Sequence, residues 1–418
     1  MRLRRSEGAR HAWRRFALFL AILGPGVITA NVDNDAGGIT TYSQAGARYG
    51  LATLWLFIPL AIAVIVVQEM ANRMGVVSGK GLSDLIRERF GARWTFYLML
   101  ALLLTNFGNI LAEFAGIAAA GEIFGVSRLI TVPLAALAVW LIVVRSSYRT
   151  VEKVFLAAVV LYVSYILAGI LSHPSGREIA HALTVPRFIP ESQYLIMLVA
   201  LIGTTIAPWM QFYQQAAVAE KNVRVDDYAL SRLDTILGGI SVSVVAAFIV
   251  IVCAINLYGR GLPIESAGDA ARALAPIAGR YAGGLFAFGL LNASMFAAVI
   301  LPLSTAYTIC EGFGWESGVD KGFTEAPQFY VLFSALMALG AGLIMLPGIS
   351  LIAVMYLSQV INGLMLPFVL VFMLILINDR AIMGAHANSM WMNAVTVLLA
   401  AALSALGLAA GGLAIFGQ

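Results

Sequence analysis

Apolar runs near the length of a bilayer crossing, about 20 residues, recur from one end of the chain to the other. Eleven such runs can be counted, and most polar residues lie in the short segments between them. Backbone polar groups inside a bilayer must be bonded within their own segment, so each run predicts a transmembrane α-helix. The predicted spans cover residues 17–30, 51–71, 94–121, 129–144, 154–171, 194–215, 235–258, 281–308, 329–346, 350–378 and 390–416.

The first span is interrupted by polar residues where it should reach the middle of the membrane. The stretch GPGVITANVDNDAGG, residues 24–38, ends in two glycines that follow Asn31, Asp33, Asn34 and Asp35. An ionisable group at the bilayer centre costs about 2.5–3.5 kcal/mol and is retained where it lines a cavity or binds an ion. The stretch predicts a helix that unwinds around a polar site. A loop between two short spans, or carboxylates paired inside a bundle, would also fit.

The sixth span carries a second interruption, in LIGTTIAPWMQFYQQ at residues 201–215. Pro208 removes a backbone donor in mid-helix, and Gly203 with its two following threonines loosens the turn before it. Proline also kinks ordinary membrane helices, so this break alone does not decide the architecture. Because the second break comes five spans after the first, an odd number, the sixth span repeats the first in inverted orientation. Broken helices at matching positions of two halves indicate the central site of a transporter.

Composition places the chain among multi-pass membrane proteins. It is 61% hydrophobic and 11% charged, with a mean hydropathy of +0.89, which is far from the globular average. No soluble domain fits between the spans. The predicted organisation is a basic tail at 1–16, a ten-helix core at 17–378, and a linker with the eleventh helix at 379–418. The core divides into a first repeat at 17–172 and an inverted second repeat at 193–378.

The basic residues predict the orientation. Nineteen of the 26 lysines and arginines fall on one side of the predicted spans and seven on the other. The positive-inside rule then places the N-terminus in the cytosol and the C-terminus outside, in a prokaryotic plasma membrane. This bias also explains the net charge of +4, so the expected partner is the lipid bilayer and not a nucleic acid. No obligate protein partner is evident.

The residues typical of enzymes and resident metal centres are scarce. The four histidines lie in the tail or in predicted loops, and the two cysteines are far apart in the sequence. No thiolate cluster for zinc and no Ser, His and Asp arrangement for hydrolysis can be recognised from spacing. We therefore expect a protein that is not an enzyme and has no cofactor.

Several segments taken together resemble one family. These are GPGVITANVDNDAGG, GTTIAPWM, NRMGVVSGKGLSDLIRERFG, AYTICEGFGWESGV, EAPQFY, and SQVINGLMLPF followed by INDR. Their order and spacing are similar to those of the NRAMP divalent-metal transporters, from the first span to the tenth. The resemblance implies an all-α, LeuT-type fold with a five-plus-five inverted repeat and one extra helix. It also implies a metal site where broken helices one and six cross.

Two departures from the family pattern bear on the substrate. Gly38 stands where the family has an Asn ligand, and Ala207 where it has the Met thioether. Losing a soft sulfur removes discrimination for transition metals, whereas hard oxygen ligands suit Mg²⁺, Ca²⁺ and Mn²⁺. Mg²⁺ commonly binds through one or two carboxylates while it keeps several waters, and loss of two side chains is expected to open space for them. This pattern resembles the NRAMP-related magnesium transporter branch. Neutral change at both positions in a manganese carrier is the alternative.

The resemblance also implies roles for individual residues. Asp35 would be the anionic ligand, assisted by the carbonyl of Thr204, the Gln359 side chain and the Val32 carbonyl. Gly38 and Ala207 complete the predicted metal site. Asp33 and Asn34 have no counterpart in the family pattern, and they would hold waters of the ion or polarise its entrance. Further residues that would hold waters or form the surroundings are Asn362, Trp209 and Glu113. An interhelical hydrogen bond is an equally good interpretation of Asn362. The metal, Mg²⁺ or Mn²⁺, would be the transported substrate.

Proton coupling is predicted to be absent. Trp209 replaces the sixth-helix His of proton-coupled relatives, Ile110 replaces a third-helix Asp, and the ninth span has no Lys or Arg, although Glu113 persists. The sequence thus predicts alternating-access transport of a largely hydrated ion without proton coupling. A proton-coupled Mn²⁺/Fe²⁺ transporter is the main alternative. A LeuT-type amino-acid carrier would not need Asp35, and a channel would not need two broken helices.

Overall fold

The computed structural model is nearly all helical over the residues that it describes. These are residues 29, 32–145, 170, 175–258, 264, 266–271, 282–319 and 321–416. Within them, nine helices are long and apolar enough to cross a membrane, and each corresponds to one of the predicted spans from the second onward, the fifth excepted. The predicted basic tail, the first half of span one and nearly all of span five lie outside the described residues.

The first half of the described chain contains five helices. Helix α1 (Ala36–Tyr49) follows the first break and leads through a 3₁₀ segment (Gly50–Leu56) into α2 (Phe57–Ser78). Helix α3 (Leu82–Ile123) has a kink at Gly91, where φ is +78°, and α4 (Arg128–Arg145) follows it. A short helix, α5 (Gly176–Thr184), begins at the Ser175 cap. Residues 82–90 form a polar helical segment before the kink at Gly91, and the predicted third span, 94–121, lies within the apolar helix after the kink.

The second half begins with another pair of short helices, α6 (Ser192–Thr205) and α7 (Pro208–Glu220). Long helices then alternate with short ones. They are α8 (Tyr228–Asn256), α9 (Ala267–Ala271), α10 (Ala282–Phe313), α11 (Pro327–Ile344), α12 (Leu351–Asn378), α13 (Arg380–Met383) and α14 (Met390–Phe416). The α6–α7 pair is the predicted broken sixth span.

The helices pack as two groups. In one, α2 contacts α7 and α8, and α8 contacts α1; in the other, α3 packs most extensively against α10 and also contacts α11 and α12. Helices in lipid associate by close packing of small residues, and Gly203 of α6 illustrates it. A Cβ atom there would overlap the backbone of Gln359 and Gly363 in α12. Helices α6 and α12 therefore cross almost backbone to backbone, next to the two breaks.

Candidate cation site

The first break is a three-residue turn at Asp33–Asp35 that ends at the start of α1. Asp35 is the N-cap, and its Oδ1 accepts a hydrogen bond of 2.6 Å from the Gly38 backbone N–H. A carboxylate at this place satisfies a free donor of the first helical turn and lies at the positive end of the helix dipole. The backbone thus fixes the Asp35 carboxylate at the break.

The second break separates α6 from α7. Helix α6 ends at Thr205, Ala207 is the N-cap of α7, and Pro208 occupies the first turn of α7. The Thr204 carbonyl has no helical donor, because the residue four positions on is Pro208 and proline has no N–H. The Gln211 amide, oriented to satisfy its neighbours, donates to the carbonyls of Ala207 at 2.9 Å and Pro208 at 2.8 Å. These contacts leave the predicted Thr204 carbonyl as an acceptor at the break.

The two breaks meet at Gly38. A Cβ placed on Gly38 would lie 3.2 Å from Thr204 Oγ1 and 3.4 Å from Asp35 Oδ1. One turn further along α1, the Tyr42 hydroxyl lies 2.9 Å from that of Thr205. The Thr205 hydroxyl donates to the Leu201 carbonyl at 2.9 Å, so Tyr42 is the donor of the bond that joins α1 to α6.

The expectation of open space at Gly38 is wrong for this structure. A Cβ atom at that position would overlap the backbone carbonyl of Asp33, in addition to its contact with Thr204. The break folds its own backbone into the volume that an Asn side chain would occupy. The Asp33–Asp35 turn thus lies against α1 and occupies the space next to Gly38.

Hard oxygen and amide atoms without hydrogen-bond partners surround the break. They belong to Asp33, whose Oδ2 is unpaired, and to Asn34, whose Oδ1 and Nδ2 are both unpaired. Both side chains are buried, at 2% and 0% exposure. A buried polar atom without a partner is costly, and such atoms are commonly satisfied by water or an ion that joins them. The sequence analysis predicted that these two residues hold waters of an ion or polarise its entrance.

A row of hydrogen-bonded amide side chains leads from the first break through α12 to α3. The Gln359 side chain lies against Gly37, and its Oε1 accepts a 2.9 Å hydrogen bond from Asn362 Nδ2. Asn362 in turn exchanges two hydrogen bonds, of 2.9 and 3.0 Å, with the Asn109 amide of α3. The interhelical interpretation of Asn362 is therefore confirmed. Asn109 was missed by the sequence reasoning, although its place one turn before Glu113 on α3 could have indicated it.

Glu113 reaches the same turn from α3. Its Oε2 accepts a long hydrogen bond, 3.4 Å, from the Ala36 backbone N–H, and its carboxyl group interacts directly with that of Asp35. Ile110, one turn earlier, is fully buried, and its side chain lies next to Gly340 of α11. The third helix thus supplies one acid to the break, as predicted, and turns an apolar side chain toward α11.

The remaining predicted residues are buried close to the breaks. Val32 directly precedes the first turn and Ala207 caps α7. Trp209 packs its ring at a tilt against Tyr213, and its carbonyl accepts a 3.4 Å hydrogen bond from the Ser304 hydroxyl of α10. In the described part of the chain, no three His, Cys, Asp or Glu residues come together as a metal cluster. The first break instead has the carboxyl groups of Asp33, Asp35 and Glu113 beside it, together with amide and backbone oxygens.

The sequence model of the Nramp family, described as natural resistance-associated macrophage protein-like, matches residues 26–411. The divalent metal cation transporter MntH of Chromohalobacter salexigens is 28% identical over 384 residues, 88% of this chain and 85% of the relative. MntH of Deinococcus radiodurans is 28% identical over 398 residues, 92% of this chain and 86% of its own. Both relatives are named transporters, which agrees with the expectation that the chain is not an enzyme.

Solved structures give the fold. A manganese transporter of Eremococcus coleocola superposes with a TM-score of 0.75 at 21% identity, covering 93% of this chain and 86% of that chain. MhsT in complex with L-phenylalanine gives a TM-score of 0.56 at 15% identity, with 92% and 98% covered. Mhp1 in a closed conformation gives 0.58 at 14% identity, with 93% of both chains covered. The predicted LeuT-type helical membrane fold is confirmed.

Proposed function

Because the chain belongs to the Nramp family, we propose that it carries divalent metal cations across the membrane, with Mg²⁺ as the main substrate and Mn²⁺ as a second. The two MntH relatives are named divalent metal cation transporters, and this chain aligns with 85% and 86% of their lengths. Within the family, we place the chain in the magnesium-transporting branch. It would act in a prokaryotic plasma membrane with its N-terminus in the cytosol.

The observation that carries Mg²⁺ preference is the chemistry of the atoms at the two breaks. Asp33, Asn34 and Asp35 offer carboxylate and amide oxygens, and several of these atoms have no partner. Ala207 provides no sulfur to the breaks. The thioether of Met355 on α12 already accepts a hydrogen bond of 3.4 Å from the Thr40 hydroxyl. Hard oxygens suit Mg²⁺, whereas a thioether would favour softer transition metals.

The oxygen atoms at the breaks suit a hydrated ion better than a bare one. Waters bound to Mg²⁺ present their hydrogens outward, so the surrounding protein must supply acceptors. Asp33 Oδ2, Asn34 Oδ1, the Thr204 carbonyl and Gln359 Oε1 are acceptors of that kind. The Asp33 carbonyl lies close to Gly38 in this structure, and we propose that the hydrated ion enters when the Asp33–Asp35 turn moves away from α6. That movement is the alternating-access step of the proposal.

We base the absence of proton coupling on two buried positions close to the breaks. Trp209 and Ile110 are buried apolar side chains where proton-coupled relatives carry titratable ones. A carrier without these groups moves the ion down its electrochemical gradient. The membrane potential supplies about 2.3 kcal/mol per charge per 100 mV, which drives a divalent cation into a negative interior.

Proton-coupled Mn²⁺ transport is the second candidate, and Glu113 favours it. Its carboxyl group interacts with that of Asp35 across the break, so a proton shared by the two acids could be displaced when a cation arrives. The Eremococcus coleocola protein whose fold superposes on this chain is a manganese transporter by name. The two candidates differ in whether protons accompany the metal.

Uptake into proteoliposomes tests both candidates. The liposomes contain a pH-sensitive dye and receive Mg²⁺ or Mn²⁺ with the native chain, Asp35→Ala, or the control Asp226→Ala, whose side chain is 82% exposed. We expect Mg²⁺ flux without lumenal acidification, abolished by Asp35→Ala and unchanged by Asp226→Ala. Mn²⁺ flux with acidification and no Mg²⁺ flux would instead establish the second candidate.

A further inference from the structure

A buried polar cluster lies at the other end of α7, on the face that the basic residues predict to be cytosolic. The turn between α2 and α3 contains Lys80 and Gly81, and Gln215 of α7 donates from Nε2 to the Lys80 carbonyl at 2.9 Å. Gln215 is 0% exposed. Its other amide atom, Oε1, has no hydrogen-bond partner.

Glu311 of α10 approaches the same turn from the opposite direction. Its carboxylate lies directly on Gly81, so close that a Cβ atom there would overlap both carboxylate oxygens. Its Oε2 is inaccessible to solvent and has no hydrogen-bond partner. Two residues beyond Gly81, the hydroxyl of Ser83 is also buried and unpaired. Three elements thus bring unpaired hard oxygens to one turn.

The electrostatic surroundings of Glu311 are negative. The negative charges of Asp84 and Glu220 repel its carboxylate, and the positive charge of Arg87 attracts it. Arg87 is already paired with Asp84 at 2.9 Å, and Lys80 is paired with Glu88 at 2.7 Å. Glu220 accepts a hydrogen bond of 2.8 Å from the Tyr307 hydroxyl. The charges next to Glu311 therefore leave its own charge without a dedicated partner.

We propose that Glu311, Gln215 and Ser83 form a second binding site for a divalent cation, which the ion occupies on its way between the breaks and the cytosol. This proposal rests on the proposed transport function. Helix α7 connects the sites, since Ala207 caps its start and Gln215 lies about two turns further on, about 12 Å along the axis. One carboxylate with neutral oxygens and retained waters is a common arrangement for Mg²⁺ and also suits Mn²⁺.

Binding stoichiometry tests the second site. Mn²⁺ is the probe, because its free and bound forms are distinguished by electron paramagnetic resonance, and the full chain is used in detergent. We expect two bound Mn²⁺ per native chain, one in Asp35→Ala, one in Glu311→Gln, and none in the double variant. Glu316→Gln is the matched control, since its side chain is 67% exposed and pairs with Lys321; it should retain two.

The outcomes separate this proposal from the transport function. Unchanged stoichiometry in Glu311→Gln, or no Mn²⁺ bound by Asp35→Ala, would overturn the second site and leave the first intact. Two Mn²⁺ bound by Asp35→Ala would contradict the central site instead. Gly81→Ala and Ser83→Ala guard against a folding defect in Glu311→Gln. Gly81→Ala displaces the carboxylate and Ser83→Ala removes one oxygen without changing any charge, so both should weaken the second site alone.

Discussion

At the scale of single residues, Ala207 gives the sharpest test of ion preference. It is 1% exposed and caps α7 at the second break, so Ala207→Met would place a thioether there. We expect the affinity for Mn²⁺ relative to Mg²⁺ to rise about tenfold, or about 1.4 kcal/mol. Competition binding of the two ions to the purified chain measures it. Ala207→Leu has a similar volume without sulfur, and an equal shift in that variant would show that volume alone is responsible.

The residues of the breaks were predictable to different degrees. Asp35 and Thr204 could be found because a carboxylate in an apolar run and a carbonyl four residues before proline are visible in the sequence. Asn109 had a weaker signal, its position one turn before Glu113, because a single amide in an apolar helix is also a common packing residue. The filled space at Gly38 was unpredictable for another reason. It depends on where the Asp33 carbonyl folds, and only the tertiary structure fixes that.

At the scale of elements, span boundaries were predicted least well where helices are buried in protein. Helix α1 has polar residues in its first two turns yet is almost wholly buried, so hydropathy gave no sign that it continues to Tyr49. Helix α2 likewise extends to Ser78, beyond the predicted end at residue 71, because Arg73 is buried against other polar groups. High hydropathy marks helices that contact lipid, whereas these segments contact mainly protein.

The crossing of α6 and α12 gives a prediction at the same scale. Gly203→Ala would press a methyl group against the backbone of Gln359 and Gly363, and backbone atoms have no alternative rotamer. We expect a loss of about 1–3 kcal/mol in stability, measured as a lower thermal unfolding temperature in detergent. Gly342→Ala on α11 is the control, because nothing lies within 4 Å of its Cβ position. It should be neutral or slightly stabilising, and an equal loss there would contradict the crossing.

At the scale of the whole molecule, the two halves meet through the breaks as the repeat pattern predicted, whereas the attachment of the last helix was not foreseen. The last helix packs mainly against α6 and α12, and α2 adds a contact through Arg73, which forms a buried ion pair with Glu69 at 3.1 Å. Arg73 also donates to the carbonyls of His386 and Ala387, at 3.0 and 3.4 Å, in the segment before α14. Tyr228 of α8 hydrogen-bonds to Glu69. One guanidinium therefore links α2 and, through Glu69, α8 to the segment that leads into the last helix.

Removing that guanidinium should loosen the molecule as a whole. The side chains of Arg73 and Glu69 are 8% and 3% exposed, so Arg73→Ala leaves a buried carboxylate without its cation, at a cost of about 3–5 kcal/mol. Glu69→Gln combined with Arg73→Ala removes the stranded charge and should recover part of the loss. Thermal unfolding of both variants in detergent measures the difference. If the double variant were as unstable as the single one, the loss would come from the hydrogen bonds of Arg73 to the segment before α14 and not from the stranded charge of Glu69.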